Sequence, residues 1–580
     1  MLLNVIHRPE TGKNYPFYKL QQEYAHKLNL KITLMIPVSS LEDDAMVEEI
    51  KQYHRDFGDE LALWLWRINK PEWGGNTPFW LASEENKRKS LEYALQLFRT
   101  KLGCEPVSIG SYLLDALSMK IVKELSPATT TVTASCFEEG TKIFHGCNNS
   151  WYLFSEGVSW GPWYPGKGHS FRPAANEEDW AGLVAIPHLS RDLVLAYEGR
   201  NDFFASHPAN VQRGLANKGL SHDYDFNLVD QYRMQEDYND GYSFYHVHVS
   251  PSWLGDNPNL QDMPEVSQQL YLETLEYLAQ LRDQGEVRDM YMKEFGYWFR
   301  DNIPVGKPIV ALGKEILFGS GKHYFWYIDP YFRVLIDSNQ GGSIGDIRPY
   351  AGRFAAHSGP DSPMREIASY PYIIQSQLRS GAQHHSADDG ARTTLFVLNG
   401  EEKLDLCYCS TKVAAVERGD EGTRVRLTPA SLSFKNGLQI EIETIYEFYP
   451  NGIIMIRRKL VRTSDQAAKI GIQEYFKGCY GFTEYAEDLH GIILEVEGDD
   501  RKKLVYDYNS EWIQVPNGTK ASASIPPIQT YISLEPAEGT ALLAEAAEGH
   551  LFNPYYSLKL HYELSENRKE AVTCLTIRKN

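Results

Sequence analysis

Residues 31–66, KITLMIPVSSLEDDAMVEEIKQYHRDFGDELALWLW, place one amphipathic helix between two short apolar runs. Lys31–Ile36 and Glu60–Trp66 have the length and composition of buried strands. Between them, apolar side chains recur at the spacing of one helix face: Met46, Ile50, Tyr53 and Phe57. A strand, a covering helix and a second strand in this order predict a parallel β-α-β unit.

The same alternation continues over the first 300 or so residues. Further strands are predicted at Leu2–Ile6, Pro106–Ile109, Thr129–Ala134, Gly182–Ile186, Tyr242–Val249 and Val287–Tyr291. A second helix face is predicted from Leu113, Leu117, Ile121 and Leu125. Because a run of such repeats favours closure of the sheet, we predict an α/β fold with a distorted (β/α)7-8 barrel over residues 1–305.

The pattern changes after about residue 370 to an alternation of apolar and polar residues. Leu438, Ile440 and Ile442 are separated by polar residues, and Pro450-Asn451-Gly452 predicts a tight turn into Ile453–Leu460. Strand follows strand to the C-terminus, so an all-β sandwich domain is expected over residues 371–580. Residues 306–370, which contain several Gly and Pro, are interpreted as a connecting segment.

Composition restricts the partners of the chain. Its 580 residues include 58 Lys and Arg against 77 Asp and Glu, for a formal net charge of -19. This excess of acid argues against nucleic acid or an anionic membrane as partner, because both are bound through basic patches. No stretch has the length of a membrane span, the N-terminus lacks a signal-peptide pattern, and the seven Cys form no Cys-x-x-Cys pair. We therefore expect a cytoplasmic protein, and its oligomeric state stays open.

One stretch combines acids and aromatic residues. Glu138 and Glu139 lie just upstream of two aromatic segments, Trp151–Phe154 and Trp160–Tyr164. Gly and Pro interrupt this region every few residues, so neither a helical nor an alternating period survives. Sugar rings stack on aromatic side chains while their hydroxyls bind polar groups, and we predict a carbohydrate-facing loop here.

Strand ends supply further candidates, because a parallel barrel places its site at the carboxyl ends of its strands. We call this end of the barrel its mouth. The residues expected to surround this mouth are His7, Glu10, Trp64, Trp66, Arg67, Asp115, Glu138, Glu139, His188, Arg191, Asp192, His246 and His248.

Glycoside hydrolysis needs two carboxyl groups on either side of the bond that breaks. Asp115, Glu138 and Glu139 are the catalytic candidates, with Asp115 as nucleophile and Glu139 as proton donor. Adjacent residues of an extended segment point to opposite sides, so only one of the two glutamates is expected to enter the site. Asp115 has an alternative role as the cap of the helix that follows it.

Binding roles are assigned to the remaining candidates. Hydroxyl groups are expected to bind His7, Arg191, His246 and His248, and the stacking walls are predicted to be Trp66, Trp151, Trp160 and Trp163. Further substrate-binding residues are expected at Glu10, Trp64, Arg67, Tyr164 and Asp192. His246 and His248 share one strand face, which is also how some metal sites are built. The candidates for the further ligands are His7, Asp115 and Asp192. No cofactor is required for the carboxylate mechanism, whereas this alternative needs a divalent metal.

In layout the chain resembles the superfamily of distorted barrels that contains polysaccharide deacetylases and the family 38 and family 57 glycoside hydrolases. Asp59–Trp66 looks like the deacetylase strand that bears metal ligands, Tyr245–Pro251 like the late His-Pro strand, and Met292–Arg300 like the helix that ends the barrel. The first strand ends in His7-Arg8-Pro9-Glu10 instead of an Asp-Asp pair, and Trp64 stands among the expected metal-binding His positions. The resemblance therefore implies the glycosidase branch, which uses carboxylates at middle strand ends.

Three functions follow from these observations. The leading hypothesis is a glycoside hydrolase that acts on an oligosaccharide or glycoside with two carboxylates at the barrel mouth. The alternatives are a metal-dependent carbohydrate deacetylase or lyase that uses the histidines, and a non-catalytic carbohydrate-binding protein on the same barrel.

Overall fold

The structure is a computed structural model that describes most of the chain. The described residues are 1–65, 79, 82–111, 114–135, 159–198, 208, 211, 215, 223–255, 264–350, 373–375, 391–479, 491–507, 511–550 and 553–580. They form two compact units that divide near residue 310.

The first unit contains an eight-stranded parallel sheet that nearly closes into a barrel. Its strands are β1 Leu2–His7, β2 Ile32–Pro37, β3 Glu60–Trp64, β4 Ser108–Gly110, β5 Thr131–Ser135, β8 Val184–Pro187, β9 Phe244–His248 and β10 Arg288–Asp289. A short hairpin, β6 Pro165–Gly166 with β7 His169–Pro173, precedes β8. All eight strands predicted from the sequence are confirmed, with ends shifted by at most two residues.

Pairing in this sheet runs β1-β2-β3-β4-β5-β8, and β9 pairs with the other side of β1. Ser190, just after β8, meets β9 at His246: the Ser190 N–H donates to the His246 carbonyl at 3.2 Å, and the His246 N–H donates to Ser190 Oγ at 2.9 Å. These two bonds bring the ends of the sheet together, so the strands enclose a lumen.

The described helices of the first unit connect and cover these strands. They are α1 Tyr15–Lys27, α2 Val38–Leu41, α3 Asp44–Phe57, α4 Glu84–Leu102, α5 Ala116–Leu125, α6 Leu193–Glu198, α7 Tyr224–Arg233, α8 Pro264–Asp283 and α9 Met292–Asn302, with short 3-10 turns at Gly12–Asn14, Met234–Asp237 and Pro251–Trp253. Three of these helices begin with a capping side chain: Asp43 on α3, Ser83 on α4 and Asp115 on α5.

Helix α9 closes the amino-terminal end of the barrel. The Met292 N–H donates to Thr33 Oγ1 at 3.0 Å and the Lys293 N–H to Glu60 Oε2 at 3.0 Å, both near the beginnings of strands. Glu60 also accepts from Ser108 Oγ at 2.7 Å. Helix α9 therefore covers the lumen at the amino-terminal ends of the strands.

The second unit is built from antiparallel sheets. A five-stranded sheet contains β11 Ile309–Lys314, β12 His323–Ile328, β13 Phe332–Asp337, β14 Ser343–Pro349 and β15 Ile374–Gln375. A six-stranded sheet has the order β17-β16-β23-β30-β29-β26, with ranges Glu402–Asp405, Arg392–Asn399, Ile470–Gly478, Asn553–Leu564, Ala541–His550 and Trp512–Gly518. A ten-stranded sheet contains β18 Val413–Gly419, β19 Gly422–Leu427, β20 Ala430–Ser433, β21 Gln439–Tyr449, β22 Ile453–Thr463, β24 Ile493–Glu497, β25 Arg501–Val505, β27 Lys520–Ile525, β28 Thr530–Pro536 and β31 Glu570–Lys579. Three 3-10 turns lie at Ser338–Gln340, Leu406–Tyr408 and Pro526–Ile528.

The six- and ten-stranded sheets pack face to face, as expected for a β-sandwich. Arg458 of β22 donates to both carboxylate oxygens of Glu474 on β23, at 2.8 and 2.7 Å, with both side chains buried. Tyr562 of β30 hydrogen-bonds to Thr573 of β31 at 2.9 Å. The predicted all-β C-terminal region is confirmed, but the segment 306–370 is more than a connection, because β11 to β14 lie in it. Its Gly and Pro mark the turns between these strands.

In the described part of the chain, no helix combines the length and the apolar character needed to cross a membrane.

Closure of the barrel by α9 depends on the absence of a side chain at Gly296. A Cβ there would lie 1.7 Å from Thr131 Oγ1 of β5. We expect Gly296→Ala to destabilise the protein by about 1–3 kcal/mol, the usual cost of overpacking a core. Thermal unfolding followed by circular dichroism measures the effect.

Thr131→Ala in the Gly296→Ala background should recover part of this loss, because it removes the contacting hydroxyl. Gly168→Ala is the matched control, since a Cβ there has no atom within 4 Å. An unchanged melting temperature for Gly296→Ala would contradict the packing of α9 against β5.

Candidate functional site at the carboxyl ends of the barrel strands

Four side chains from four strand ends meet inside the barrel. Arg8 follows β1, Trp64 ends β3, His188 follows β8 and His248 ends β9. The Arg8 guanidinium lies 5.1 Å from the centre of the Trp64 ring. Ring centres are 5.3 Å apart for Trp64 and His248, 5.9 Å for Trp64 and His188, and 4.5 Å for the two imidazoles. We call these four residues the mouth cluster.

Strand register explains why these side chains converge. Paired residues of parallel strands point to the same side of a sheet, and Ile6 pairs with both His248 of β9 and Thr33 of β2. Pro37 of β2 pairs with Trp64, two alternations further along the same face. Contacts between Trp64 and two strands that are not its neighbours identify this face as the lumen.

The mouth cluster is buried and carries a neutral imidazole. Burial lowers the pKa of His248 well below its usual value, and the neighbouring His188, Arg8 and His246 lower it further. Burial also lowers the pKa of His246, on the same strand face, to about 3. A neutral imidazole offers one donor and one acceptor, which suits the recognition of hydroxyl groups.

Glu10 is a carboxylate in direct contact with the mouth cluster. Its Oε1 lies 3.4 Å from Arg8 Nε and accepts from Ser250 Oγ at 3.0 Å. Its Oε2 accepts from Asn14 Nδ2 at 2.8 Å. These contacts orient the carboxylate between the loops that follow β1 and β9, beside the mouth cluster.

His7 points away from the mouth, contrary to the sequence prediction. Its Nε2 lies 2.6 Å from the hydroxyl of Tyr271 on α8, and its Nδ1 is hydrogen-bonded to Gln22 on α1. Burial lowers the pKa of His7 to about 3. Because residues alternate along a strand, Arg8 enters the lumen and His7 joins the layer between strands and helices.

Asp115 caps α5, as the alternative interpretation of the sequence proposed. Its Oδ1 accepts from the Ser118 N–H at 2.8 Å, and its Oδ2 accepts from Lys87 Nζ at 2.7 Å. Lys87 is fully buried, so the two residues form a buried ion pair between α4 and α5. Both carboxylate oxygens therefore have structural partners.

Arg191 and Asp192 lie against α7. The Arg191 N–H donates to the Tyr232 hydroxyl at 3.0 Å, and that hydroxyl donates back to the Arg191 carbonyl at 2.8 Å. Asp192 Oδ1 accepts from the Leu195 N–H at 2.9 Å at the beginning of α6. Both side chains are buried, and their predicted roles in substrate binding stay predictions.

The described part of the aromatic stretch lies elsewhere than predicted. Trp163 is buried and its Nε1 donates to the Ser170 carbonyl at 2.8 Å. The Tyr164 hydroxyl donates to the carbonyls of Phe299 and Ile303, at and just beyond the end of α9. Because α9 closes the amino-terminal end of the barrel, Tyr164 lies opposite the mouth. Trp160 is half-buried, and its stacking role stays a prediction.

Other predicted site residues lie outside the described residues. These are Trp66, Arg67, Glu138, Glu139 and Trp151. The two glutamates follow β5, whose carboxyl end belongs to the same rim as the ends of β3, β8 and β9.

A deacetylase-type metal centre does not fit the described donors. His246 and His248 do share a face, as predicted, but His7 is turned to the helix layer, and Asp115 and Asp192 cap helices. Among the residues that the structure describes, no group of three or more His, Cys, Asp or Glu side chains is arranged to hold a metal ion.

Sequence reasoning missed two residues of interest. Arg8 could have been found by applying the two-residue alternation to β1. Asp225, near the beginning of α7, is buried beside a cavity of about 30 Å³ that is also lined by Tyr245 and Tyr271. Burial raises the pKa of Asp225 to about 7. Nothing in the pattern around Asp225 distinguishes it from a solvated helix residue.

Comparison with known proteins gives likenesses of layout. No family model and no curated protein sequence matches the chain. Among solved structures, a candidate glycoside hydrolase/deacetylase from Parabacteroides distasonis is 14% identical with a TM-score of 0.46, covering 62% of this chain and 88% of its own. A 4-alpha-glucanotransferase from Thermococcus litoralis is 11% identical with a TM-score of 0.28 over 100% of both chains. A candidate polysaccharide deacetylase from Mycobacterium smegmatis is 11% identical with a TM-score of 0.31, covering 52% and 92%.

Asp225 should make stability depend on pH. Its pKa is raised from 3.8 to about 7 on folding, so the folded state holds one more proton than the unfolded state between these values. This contribution to stability is complete below about pH 4 and is lost as the pH rises through about 7. We expect Asp225→Asn to raise the melting temperature at pH 8 more than at pH 5.

Asp237→Asn, which alters an exposed carboxylate just after α7, is the control for the change in charge. A melting-temperature difference between Asp225→Asn and the unmodified protein that is constant from pH 4 to pH 8 would contradict the shifted carboxyl.

The Lys87–Asp115 pair should be essential for stability. Asn at position 115 keeps the helix cap but leaves Lys87 as a buried charge without its counterion, which costs about 3–5 kcal/mol. We expect Asp115→Asn and Lys87→Met each to lower the melting temperature. The double variant should recover much of the loss because no buried charge remains, whereas additive losses would contradict the pairing.

Proposed function

We propose that the barrel unit hydrolyses glycosidic bonds at the mouth cluster. The observation that carries this proposal is the meeting of Arg8, Trp64, His188 and His248 at four strand ends of a lumen that is closed at its other end. An indole ring beside a guanidinium and a neutral imidazole provides apolar surface and hydroxyl-binding groups in one place. This combination is typical of carbohydrate sites.

Glu139 is proposed as the proton donor. It follows β5, and the end of β5 lies on the rim that also holds the mouth cluster. A general acid must protonate the glycosidic oxygen as the bond to the anomeric carbon breaks. Glu138, which alternates with Glu139 along the chain, is proposed to face away from the substrate.

For the second carboxylate, the contacts favour Glu10 over Asp115. Glu10 is half-buried and is joined to the mouth cluster through Arg8. Asp115 instead accepts hydrogen bonds from Lys87 and from the first turn of α5. We therefore propose that Glu10 acts at the anomeric carbon or on the attacking water, and that Asp115 supports the site by fixing the beginning of α5.

Turnover by matched variants tests these roles. With a panel of oligosaccharides and aryl glycosides, Glu139→Gln should reduce turnover at least about 100-fold, the usual contribution of a general acid. Glu138→Gln is the matched control and should keep turnover within a few-fold. Glu10→Gln should be as inactive as Glu139→Gln. Asp115→Asn should keep activity per folded molecule, as measured below its melting temperature.

Three outcomes would contradict the proposal. Equal turnover in Glu139→Gln and in the unmodified protein would show that Glu139 is not the proton donor. Loss of activity on treatment with a chelator, with recovery on adding back a divalent metal, points to a metal-dependent deacetylase or lyase. Binding of an oligosaccharide without product after prolonged incubation identifies a carbohydrate-binding protein.

A further inference from the structure

The outer face of the six-stranded sheet in the second unit carries an unassigned cluster of polar and aromatic residues. Strand register places three rows of side chains across this face. The first row is Arg392, Lys477, Ser557, Ala547 and Trp512. The second is Thr394, Tyr475, Lys559, Glu545 and Gln514, and the third is Asp405, Phe396, Gln473, His561 and Leu543.

The other face of the same sheet is apolar and buried, as shown by Leu395, Ile472, Phe476 and Leu560. Because side chains alternate along each strand, the three rows point away from the sandwich core. Ring and amide groups along them are partly accessible, and the indole of Trp512 is 58% exposed. We call this surface, with Lys403 at its edge, the outer sheet face.

Positive charge exceeds negative charge on the outer sheet face, although the whole chain is strongly acidic. Its cationic side chains are Arg392, Lys403, Lys477 and Lys559, and its carboxylates are Asp405 and Glu545. Among the described residues of this face, four cationic side chains therefore stand against two carboxylates, whereas acids outnumber bases in the whole chain.

Both carboxylates already have partners. Asp405 accepts from Thr394 Oγ1 at 2.6 Å and from the Cys407 N–H at 2.9 Å, and it lies 3.6 Å from Arg392. Glu545 is hydrogen-bonded to His561, whose other ring nitrogen is 3.2 Å from Gln473. Hydrogen bonds therefore engage both acids, although Glu545 still acts electrostatically on Lys403 and Lys559.

Lys403 and Lys559 lie on aromatic rings instead of on carboxylates. Lys403 Nζ is 3.6 Å from the centre of the Phe396 ring, and Lys559 Nζ is 4.0 Å from Trp512 and 5.2 Å from Tyr475. In the part of the chain that the structure describes, neither lysine forms an ion pair with a carboxylate. Burial lowers the pKa of Lys559 to about 8, and the charge of Lys403 lowers it further, although Glu545 opposes this.

Two neighbouring ammonium groups that contact aromatic rings rather than carboxylates favour an anion between them. Beside them lies an open groove of about 600 Å³, lined by residues that include Thr394, Phe396, Tyr408 and Tyr475. Aromatic rings beside hydroxyl and amide groups suit a sugar ring, whose apolar face stacks while its hydroxyls bind. A bare inorganic anion would leave these rings and polar groups unused.

We propose that the outer sheet face binds a carboxylated sugar, with Lys403 and Lys559 on the carboxylate and the aromatic groove on the ring. The site lies wholly within the second unit and does not depend on the activity of the barrel. Through this site, the second unit would bind a uronate-containing polysaccharide on the same chain that carries the barrel.

Isothermal titration of the full-length protein tests the proposal. The probes are trisaccharides of galacturonate and of glucuronate, the neutral galactose trisaccharide and inorganic sulfate. At least one uronate trisaccharide should bind in the millimolar range or tighter, and its affinity should fall as salt is added. The neutral trisaccharide and sulfate should each bind at least about tenfold more weakly, because each lacks one part of the recognised group.

Variants locate the binding. Lys559→Met and Lys403→Met should each weaken uronate binding at least about tenfold, the effect of one hydrogen bond to a charged group. Lys502→Met, at an exposed position of the ten-stranded sheet, is the matched control and should leave the affinity unchanged. Circular dichroism establishes that each variant is folded, and having two lysine variants allows the test to proceed if one is not.

The proposal is overturned if neither uronate trisaccharide binds below 10 mM, roughly the weak limit of a specific site. It is also overturned if the neutral trisaccharide or sulfate binds as tightly as the uronates. Unchanged affinity in the folded lysine variants, or an equal loss in Lys502→Met, contradicts the assigned location. Because these readouts are binding affinities, failure of the glycosidase proposal would leave them unaffected.

Discussion

Glu60 joins the parts of the barrel on which the mouth depends. This buried carboxyl accepts from Thr33 Oγ1 on β2 at 2.9 Å, from Ser108 Oγ on β4 at 2.7 Å, and from the Lys293 N–H at the beginning of α9. Burial raises the pKa of Glu60, whereas the hydrogen bonds from these three donors lower it. A buried polar group of this kind is tolerated only when its donors are supplied, so it fixes α9 across the strand beginnings. Helix α9 therefore covers the lumen at the amino-terminal ends of the strands, opposite the mouth cluster.

Alternation along the strands then decides which side chains reach that end. Arg8 and His248 enter the lumen, while His7 contacts α1 and α8. The mouth cluster holds aromatic, cationic and neutral imidazole groups with neighbouring centres 4.5 to 5.9 Å apart, in a site mostly hidden from water. Electrostatic interactions and hydrogen bonds are stronger in such surroundings than in water. The second unit uses the same alternation on an antiparallel sheet to separate an apolar core from a cationic, aromatic outer face.

Much of the architecture was predictable from local patterns. All eight strands of the first sheet follow from short apolar runs, and the antiparallel region follows from alternation and a Pro-Asn-Gly turn. The strands between residues 306 and 370 were missed because frequent Gly and Pro resemble a linker, although here they separate short strands. For the site, Trp64, His188 and His248 were placed correctly at strand ends. Trp163 and Tyr164 were not, because nearness in sequence to Glu138 and Glu139 says nothing about which end of a barrel a chain segment reaches.

The sequence by itself determined the element types, the parallel order expected from alternating strands and helices, and the acidic balance of the chain. The element types and their order follow from local patterns, each of which can be recognised within a short stretch of sequence. The acidic balance is a property of the composition. Only the tertiary structure decided that Arg8 replaces His7 at the mouth, that Asp115 is held by Lys87, and that Lys403 and Lys559 share one sheet face. Each of these depends on contacts between segments distant in sequence, and such contacts are fixed by register and closure, which no single segment contains.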